Sequence, residues 1–212
     1  MAGRKKRASK VKRRRSMPLK KSSPAKRSAP MKKTRALRPR SDAPSAIALL
    51  TSDHREVDAL FSQFENATSA ARKQAIVQKI CDALTVHATI EEDIFYPQAR
   101  EALKRAGDDL LDEAEVEHEG IKWRIGLLRK MSPGDDLYDA EVKVLAEYVR
   151  HHVKEEERRL FIRLRLSDFD NAGVGEQMAA KKEKMTGKPV RERPSLIERG
   201  IEALVGPSPG TI

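Results

Sequence analysis

The chain has 212 residues, 35% of them charged and 4% aromatic, with a formal net charge of +11. That charge is split: residues 1–40 hold 18 Lys/Arg and no acid, residues 41–170 hold 18 Lys/Arg against 27 Asp/Glu, and residues 171–212 hold 7 against 5. An acidic body with a basic arm is therefore expected, not a uniformly basic protein. The apolar run Ala46–Leu50 is far below the ~18 residues of a membrane span, no apolar stretch follows the basic start as in a secretory signal, and the single Cys81 excludes an intramolecular disulfide framework.

Residues 1–40 read as a disordered arm. Arg4-Lys5-Lys6-Arg7 and Lys12-Arg13-Arg14-Arg15 are followed by Ser/Pro/Ala/Lys sequence with too few large apolar residues to offset the entropy of ordering. From Ser41 the pattern becomes helical, with spacings of three and four. A first helix is predicted over 44–67, with Ile47, Leu50, His54, Val57, Phe61 and Phe64 on one stripe. A second is predicted over 70–103, with Ile76, Ile80, Ala83, Leu84, His87, Ile90, Glu91 and Ile94 on its stripe, kinked or ended by Pro97. A third covers 108–130, capped by Asp108, with Leu111, Ala114, His118, Ile121, Ile125 and Leu128 inward. A fourth covers 136–165 after the turn Ser132-Pro133-Gly134-Asp135, with Val142, Leu145, Tyr148, Val149, His152, Glu156 and Leu160 inward. A fifth helix over 173–185, capped by Asp168, is broken by Gly187-Lys188-Pro189, and Leu196–Val205 suits one more short helix. The predicted organisation is thus an arm (1–40), an up-down-up-down four-helix bundle (41–170) and a C-terminal extension (171–212).

All five histidines fall in the four-helix region, and each stripe carries one where a core residue is expected. His54 and His87 are equidistant from the turn near residue 70, and His118 and His152 from the turn at residue 135. Residues equidistant from a helix-hairpin turn stand at one height, because both helices rise equally per residue. Glu91 and Glu156 each follow a histidine by four residues, which puts them one turn along the same face. A carboxylate aimed into an apolar stripe is costly to bury unless it is paired or metal-bound. Four imidazoles and two carboxylates suit iron, manganese or zinc, and six ligands exceed the needs of one ordinary site, so a dinuclear centre is predicted. Asp53-His54 mirrors Glu117-His118, and His87-x3-Glu91-Glu92 with Phe95-Tyr96 mirrors His152-x3-Glu156-Glu157 with Leu160-Phe161, the mark of an internal duplication. At His151-His152 the flanking apolar residues favour His152 with Glu156 as the inward pair, leaving His151 and Glu155 at the edge.

Asp53-His54-Arg55-Glu56-Val57, His87 to Glu92 with Phe95-Tyr96-Pro97, Glu117-His118-Glu119 and His151 to Glu157 together resemble the hemerythrin-like, HHE cation-binding family over roughly 45–165. The resemblance implies an all-α four-helix bundle holding two iron ions, bridged by carboxylate and oxo or hydroxo groups. It also implies a role in binding or sensing oxygen, nitric oxide or peroxide. Its ligands would be His54, His87, Glu91, His118, His152 and Glu156. Oxygen-carrying members have a further histidine where this chain has Lys122, with Glu115 and Asp58 as substitutes within a turn of a ligand. That departure favours sensing or redox chemistry over reversible oxygen carriage. Alternatives are a ferroxidase or peroxidase on the same metals, a nucleic-acid-associated protein tethered by its arm, and a metal-free interaction bundle.

The arm has no aromatic residue for stacking on bases, so its physics is salt-sensitive phosphate neutralisation of nucleic acid or an anionic surface. A cytoplasmic setting is expected, with nucleoid association and organelle or nuclear targeting as further roles open to the arm. Cys81 is expected to be a buried structural thiol. Trp123 and Tyr148 are expected to pack between helices. The runs Glu113–Glu119 and Glu155–Glu157 read as mostly solvated faces.

Overall fold

The computed structural model describes residues 43–188, and these are helical, with no strand among them. Helix α1 spans Ala46–Glu65 and α2 spans Ala70–Ile90, with the Ser69 hydroxyl capping α2 by accepting from Arg72 N–H. A π turn over Glu91–Phe95 continues into α3, Tyr96–Leu103. Helix α4 spans Asp108–Leu128 and α5 spans Tyr138–Glu155. A second π turn, Glu156–Leu160, continues into α6, Phe161–Arg165, and α7 spans Asn171–Thr186.

Pro97 neither ends nor breaks the second helical segment. The preceding π turn closes Tyr96 N–H onto Glu91 O, five residues back, and passes the chain into α3 with Pro97 in its first turn, where no backbone donor is required. Proline is not the cause, because the second π turn closes Phe161 N–H onto Glu156 O with Ile162 in the equivalent place. What the two π turns share is that each begins at a glutamate.

Two caps differ from expectation. Gly107 occupies the N-cap of α4, and Asp108 and Asp109 lie in its first turn, where they complement the helix dipole instead of capping it. Asp170, not Asp168, caps α7 by accepting from Gly173 N–H at 3.2 Å. Gly187 closes α7 with φ 66°, the left-handed conformation that glycine adopts without strain. The basic arm, residues 1–40, and the short helix expected at Leu196–Val205 lie outside the described residues.

Helix α1 packs on α2, α4 on α5, α2 on α4 and α1 on α5. The buried core falls into two apolar clusters. One holds Leu49, Leu50, Ile90, Phe95, Tyr96, Leu111, Leu160 and Phe161; the other holds Val57, Phe61, Ile80, Leu84, Ile121, Ile125, Leu145 and Val149. Along each of the four long segments the boundary between clusters is a buried histidine: His54, His87, His118 and His152. The core is therefore two apolar halves with a polar layer between them.

Helix α7 is part of this core and not an appendage. Val174, Met178 and Ala179 join the first cluster, and Ile47 N–H donates to Asn171 Oδ1 at 3.0 Å. Gly175 lets α7 approach closely, since a Cβ there would stand 2.3 Å from Pro44 O. No helix among the described residues is long and apolar enough to cross a membrane.

Candidate metal centre

The polar layer brings together all six residues singled out by spacing: His54, His87, Glu91, His118, His152 and Glu156 are all buried. His151, by contrast, has a side chain 61% exposed and reaches Glu117 at 3.3 Å, while the side chain of His152 is 3% exposed.

Two groups of three ligand atoms converge, His54 with His87 and Glu91, and Glu91 with His118 and His152. Glu91 belongs to both. His87 Nε2 is 3.2 Å and His118 Nε2 is 3.3 Å from Glu91 Oε2. His118 Nε2 and His152 Nε2 are 3.2 Å apart. Glu156 Oε2 lies 3.3 Å from His54 Nε2. Ligands held about 2.1 Å from one cation are about 3.0 Å apart along an octahedral edge and about 3.4 Å apart along a tetrahedral one. The observed separations lie in that interval.

The outer ring atoms are held as well. Nδ1–H groups of His54, His118 and His152 donate to Glu157 (2.9 Å), Glu92 (2.8 Å) and Glu117 (2.9 Å). His87 Nδ1 stands 3.6 Å from Asp53 Oδ2, and Asp53 is itself paired with Lys182 of α7. Such contacts fix the tautomer that turns the Nε2 lone pair inward. The pattern follows the duplication. The acid preceding the first histidine of each half serves the second histidine of that half (Asp53 to His87, Glu117 to His152). The acid following each buried glutamate serves the first histidine of the other half (Glu92 to His118, Glu157 to His54).

The fit to a cation is tested by what remains unsatisfied. Among the described residues, the buried side-chain nitrogen and oxygen atoms lacking a hydrogen-bond partner are His54 Nε2, His87 Nδ1 and both oxygens of Glu91 and of Glu156. Buried polar atoms are normally bonded; His87 Nδ1 faces Asp53 at 3.6 Å, and the other five orphans, His54 Nε2 and the oxygens of Glu91 and Glu156, are a donor set arranged for something other than each other. Mixed imidazole and carboxylate donors suit iron, manganese or zinc.

Without a cation the layer is electrostatically divided. Burial opposes the charge on His54, but the Glu156 carboxylate outweighs it and raises the imidazole to about 9. Burial likewise opposes the charge on Glu156, yet His54 and His152 bring it down to about 2. His87 is lowered to about 4 by burial. Burial, reinforced by the neighbouring Glu156 charge, holds Glu91 well above the carboxylate range.

Sequence reasoning missed several residues at this site. Glu92, Glu117 and Glu157, read as solvated or not singled out, bond the imidazoles. Their signal was present, because each adjoins one of the six buried polar residues, but an outer acid serves a histidine on another helix and spacing alone does not pair them. Tyr96 was missed too: its hydroxyl is 3.2 Å from His118 Nε2, and burial raises its pKa. Its counterpart Phe161 stacks on His54, with ring centroids 6.1 Å apart and planes 6° apart. Both residues lie five beyond a buried glutamate, a spacing that the π turns bring back over the site.

Other expectations are corrected. Tyr148 is 45% exposed and faces the Arg124 guanidinium at 4.8 Å, and Trp123 is 64% exposed, so neither packs in the core. Asp58 pairs with Arg150 at 2.9 Å and Glu115 with Arg100 at 3.0 Å, both away from the layer. Lys122 reaches Glu92 at 3.2 Å, so it supports an outer acid where an imidazole would have been a ligand. Cys81 is a buried free thiol, pushed up to about 11 by burial.

A cavity of about 10 Å³, room for one water-sized guest, adjoins the imidazoles. His54, His87, His118 and His152 border one side; Val57, Leu84, Ile121, Val149 and Val153 supply an apolar wall.

The sequence profile of the Hemerythrin HHE cation binding domain matches residues 45–164. A DNA nickase from Nostoc sp. is 28% identical over 117 residues, which cover 55% of this chain and 32% of that protein. The chain thus spans about a third of the length of that curated relative. A hemerythrin HHE cation binding domain-containing protein from Mycobacterium kansasii has a crystal structure that superposes with a TM-score of 0.58 at 23% identity. The superposition covers 68% of this chain and 88% of that one, and it shows likeness of fold.

Proposed function

Because this chain belongs to the hemerythrin HHE cation-binding domain family, we propose that its polar layer holds two iron ions and binds or senses oxygen, nitric oxide or peroxide. One ion would take His54, His87 and Glu91, the other Glu91, His118 and His152, with Glu156 as a second carboxylate between the halves. The observation that carries this reading is Glu91, buried, lacking hydrogen bonds and common to both ligand groups. The topology is an up-down-up-down four-helix bundle. In support, α1 and α4 run from the first apolar cluster to the second, while α2 and α5 run from the second to the first.

Bound iron would supply a redox-active Lewis acid. The chain's own residues do the rest. The outer acids orient the imidazoles, the two apolar clusters exclude bulk water, and the small cavity beside the imidazoles has room for one water-sized guest. The cavity's size favours a diatomic or peroxide over a larger organic substrate. A binding or sensing role is preferred to turnover. Ferroxidase or peroxidase activity is the alternative and would show as multiple turnovers of Fe(II) or peroxide. A soluble, cytoplasmic protein is proposed. The arm of residues 1–40, with 18 cationic residues, would tether it to nucleic acid or another polyanion.

Protein produced with iron is expected to hold about two irons per chain and to show a charge-transfer spectrum that is lost in His87→Ala. Less than one metal per chain in the wild type overturns the dinuclear reading. Deleting residues 1–40 should abolish salt-sensitive DNA retention, and undiminished retention removes the tether.

A further inference from the structure

A second cavity opens on the surface between α1 and α5, with a volume of about 390 Å³. Its apolar floor is Phe61, Val149 and Val153, and its rim carries Arg55, Arg150, Lys154 and Arg158. Three of these cations, Arg150, Lys154 and Arg158, recur at every fourth residue and form one stripe along α5 into the π turn. Two acids share the groove, and both are engaged: Asp58 with Arg150, and Glu157 with His54 Nδ1. Arg55 and Arg158 make no ion pair or hydrogen bond among the described residues, and Lys154 is exposed. This cationic groove lies on a body, residues 41–170, whose acids outnumber its bases by nine. The groove and the buried cavity share three lining residues, His54, Val149 and Val153. Those side chains are the partition between solvent and the space beside the imidazoles.

We propose that the α1–α5 groove is a vestibule that collects small anions and passes them across Val149 and Val153 into the buried cavity. A concave surface with one sign of charge and low-dielectric walls concentrates the opposite ion and raises its association rate. The apolar floor lets the anion shed water before it crosses, and Val153, only partly buried, is the side chain whose rotation opens the way. The ligand class is a small, singly charged anion, because the cavity beyond has room for one water-sized guest and widens only as Val153 turns. The destination rests on the proposed metal centre; the groove itself does not.

The test uses the full chain and sodium azide as probe. In iron-loaded protein, the double variant Arg55→Glu/Arg158→Glu is expected to slow azide association about tenfold at low salt. The difference should vanish at high salt. Uncharged nitric oxide should associate at the wild-type rate in that variant, and metal content should be unchanged. Val153→Phe should slow both probes, and Val153→Ala should hasten both. In metal-free protein, azide titration should shift the backbone amide resonances of Arg55, Lys154 and Arg158 in the wild type and not in the double variant. An azide rate and salt dependence untouched by charge reversal overturns the vestibule, as does equal slowing of nitric oxide. If the wild type holds no metal, the metal reading fails on its own, and the metal-free titration alone decides the groove: absent shifts overturn it.

Discussion

In the metal-free protein burial disfavours the charged form of Glu91, neither of whose oxygens is hydrogen-bonded, whereas Glu156 is held charged and pairs with His54. Leucine has about the volume of glutamate, so Glu91→Leu and Glu156→Leu keep the packing and change only the polarity. The first substitution removes an orphaned buried polar group, which costs about 1–3 kcal/mol to leave unsatisfied. Stability in chelator should therefore rise, by roughly 2–4 °C per kcal/mol for a domain near this size. The second leaves His54 buried without the carboxylate that raises it from 6.5 to about 9. A shift of that size corresponds to about 3 kcal/mol, and breaking one side of a buried pair costs about 3–5 kcal/mol. Thermal unfolding by circular dichroism in chelator at pH 7 should show a higher midpoint for Glu91→Leu and a midpoint about 10 °C lower for Glu156→Leu. Metal analysis of the same proteins should find both ions lost from Glu91→Leu and at least one kept by Glu156→Leu, because the Glu91, His118 and His152 group survives. Shifts of the same sign in both variants, or full metal content in Glu91→Leu, would refute the division of roles between the two glutamates.

The stability of the metal-free protein should turn downward above pH 6.5. Below that value His87, held at about 4, favours higher pH while Glu91, held well above the carboxylate range, favours lower pH, so the two oppose each other and stability varies less there. Above it His54, at about 9 when folded, keeps a proton that the unfolded chain releases, so stability falls as pH rises from 6.5 to 9. Melting midpoints on both sides of that value in chelator check the downturn, and a midpoint rising steadily with pH contradicts the His54 assignment. Glu92→Ala and Glu117→Ala should each weaken metal binding by about 10–100-fold, seen as a smaller metal-induced gain in melting temperature. Unchanged gains would show that the outer acids do not orient the imidazoles. Cys81, buried and raised to about 11, should resist alkylation at pH 8 until the protein is unfolded. Modification in minutes without denaturant would place that thiol at the surface.

The sequence determined by itself the helices, most of the faces they bury and the six polar residues that meet in the buried layer. Each of these follows from local periodicity: a residue's position on a helix is fixed by counting, and His54, His87, His118 and His152 count onto apolar stripes. Their common height followed from equal distances to the turns. The tertiary structure alone decided which acid holds which imidazole, because Glu92 meets His118 and Glu157 meets His54 only across a helix interface that no spacing encodes. It also decided the π turns at Glu91 and Glu156. An α-helical count puts the fifth residue onward on another face, so Tyr96 and Phe161 looked unrelated to the site until the i to i+5 bonds returned them to it. Trp123 and Tyr148 show the same limit from the other side. Counting placed Tyr148 on the inward stripe and aromatic identity suggested burial for Trp123, but only the packing of α4 against α5 could leave both at the surface beside Arg124. Counting along a chain fixes what lies on one helix, and contact between helices depends on distances that exist only once the bundle has closed.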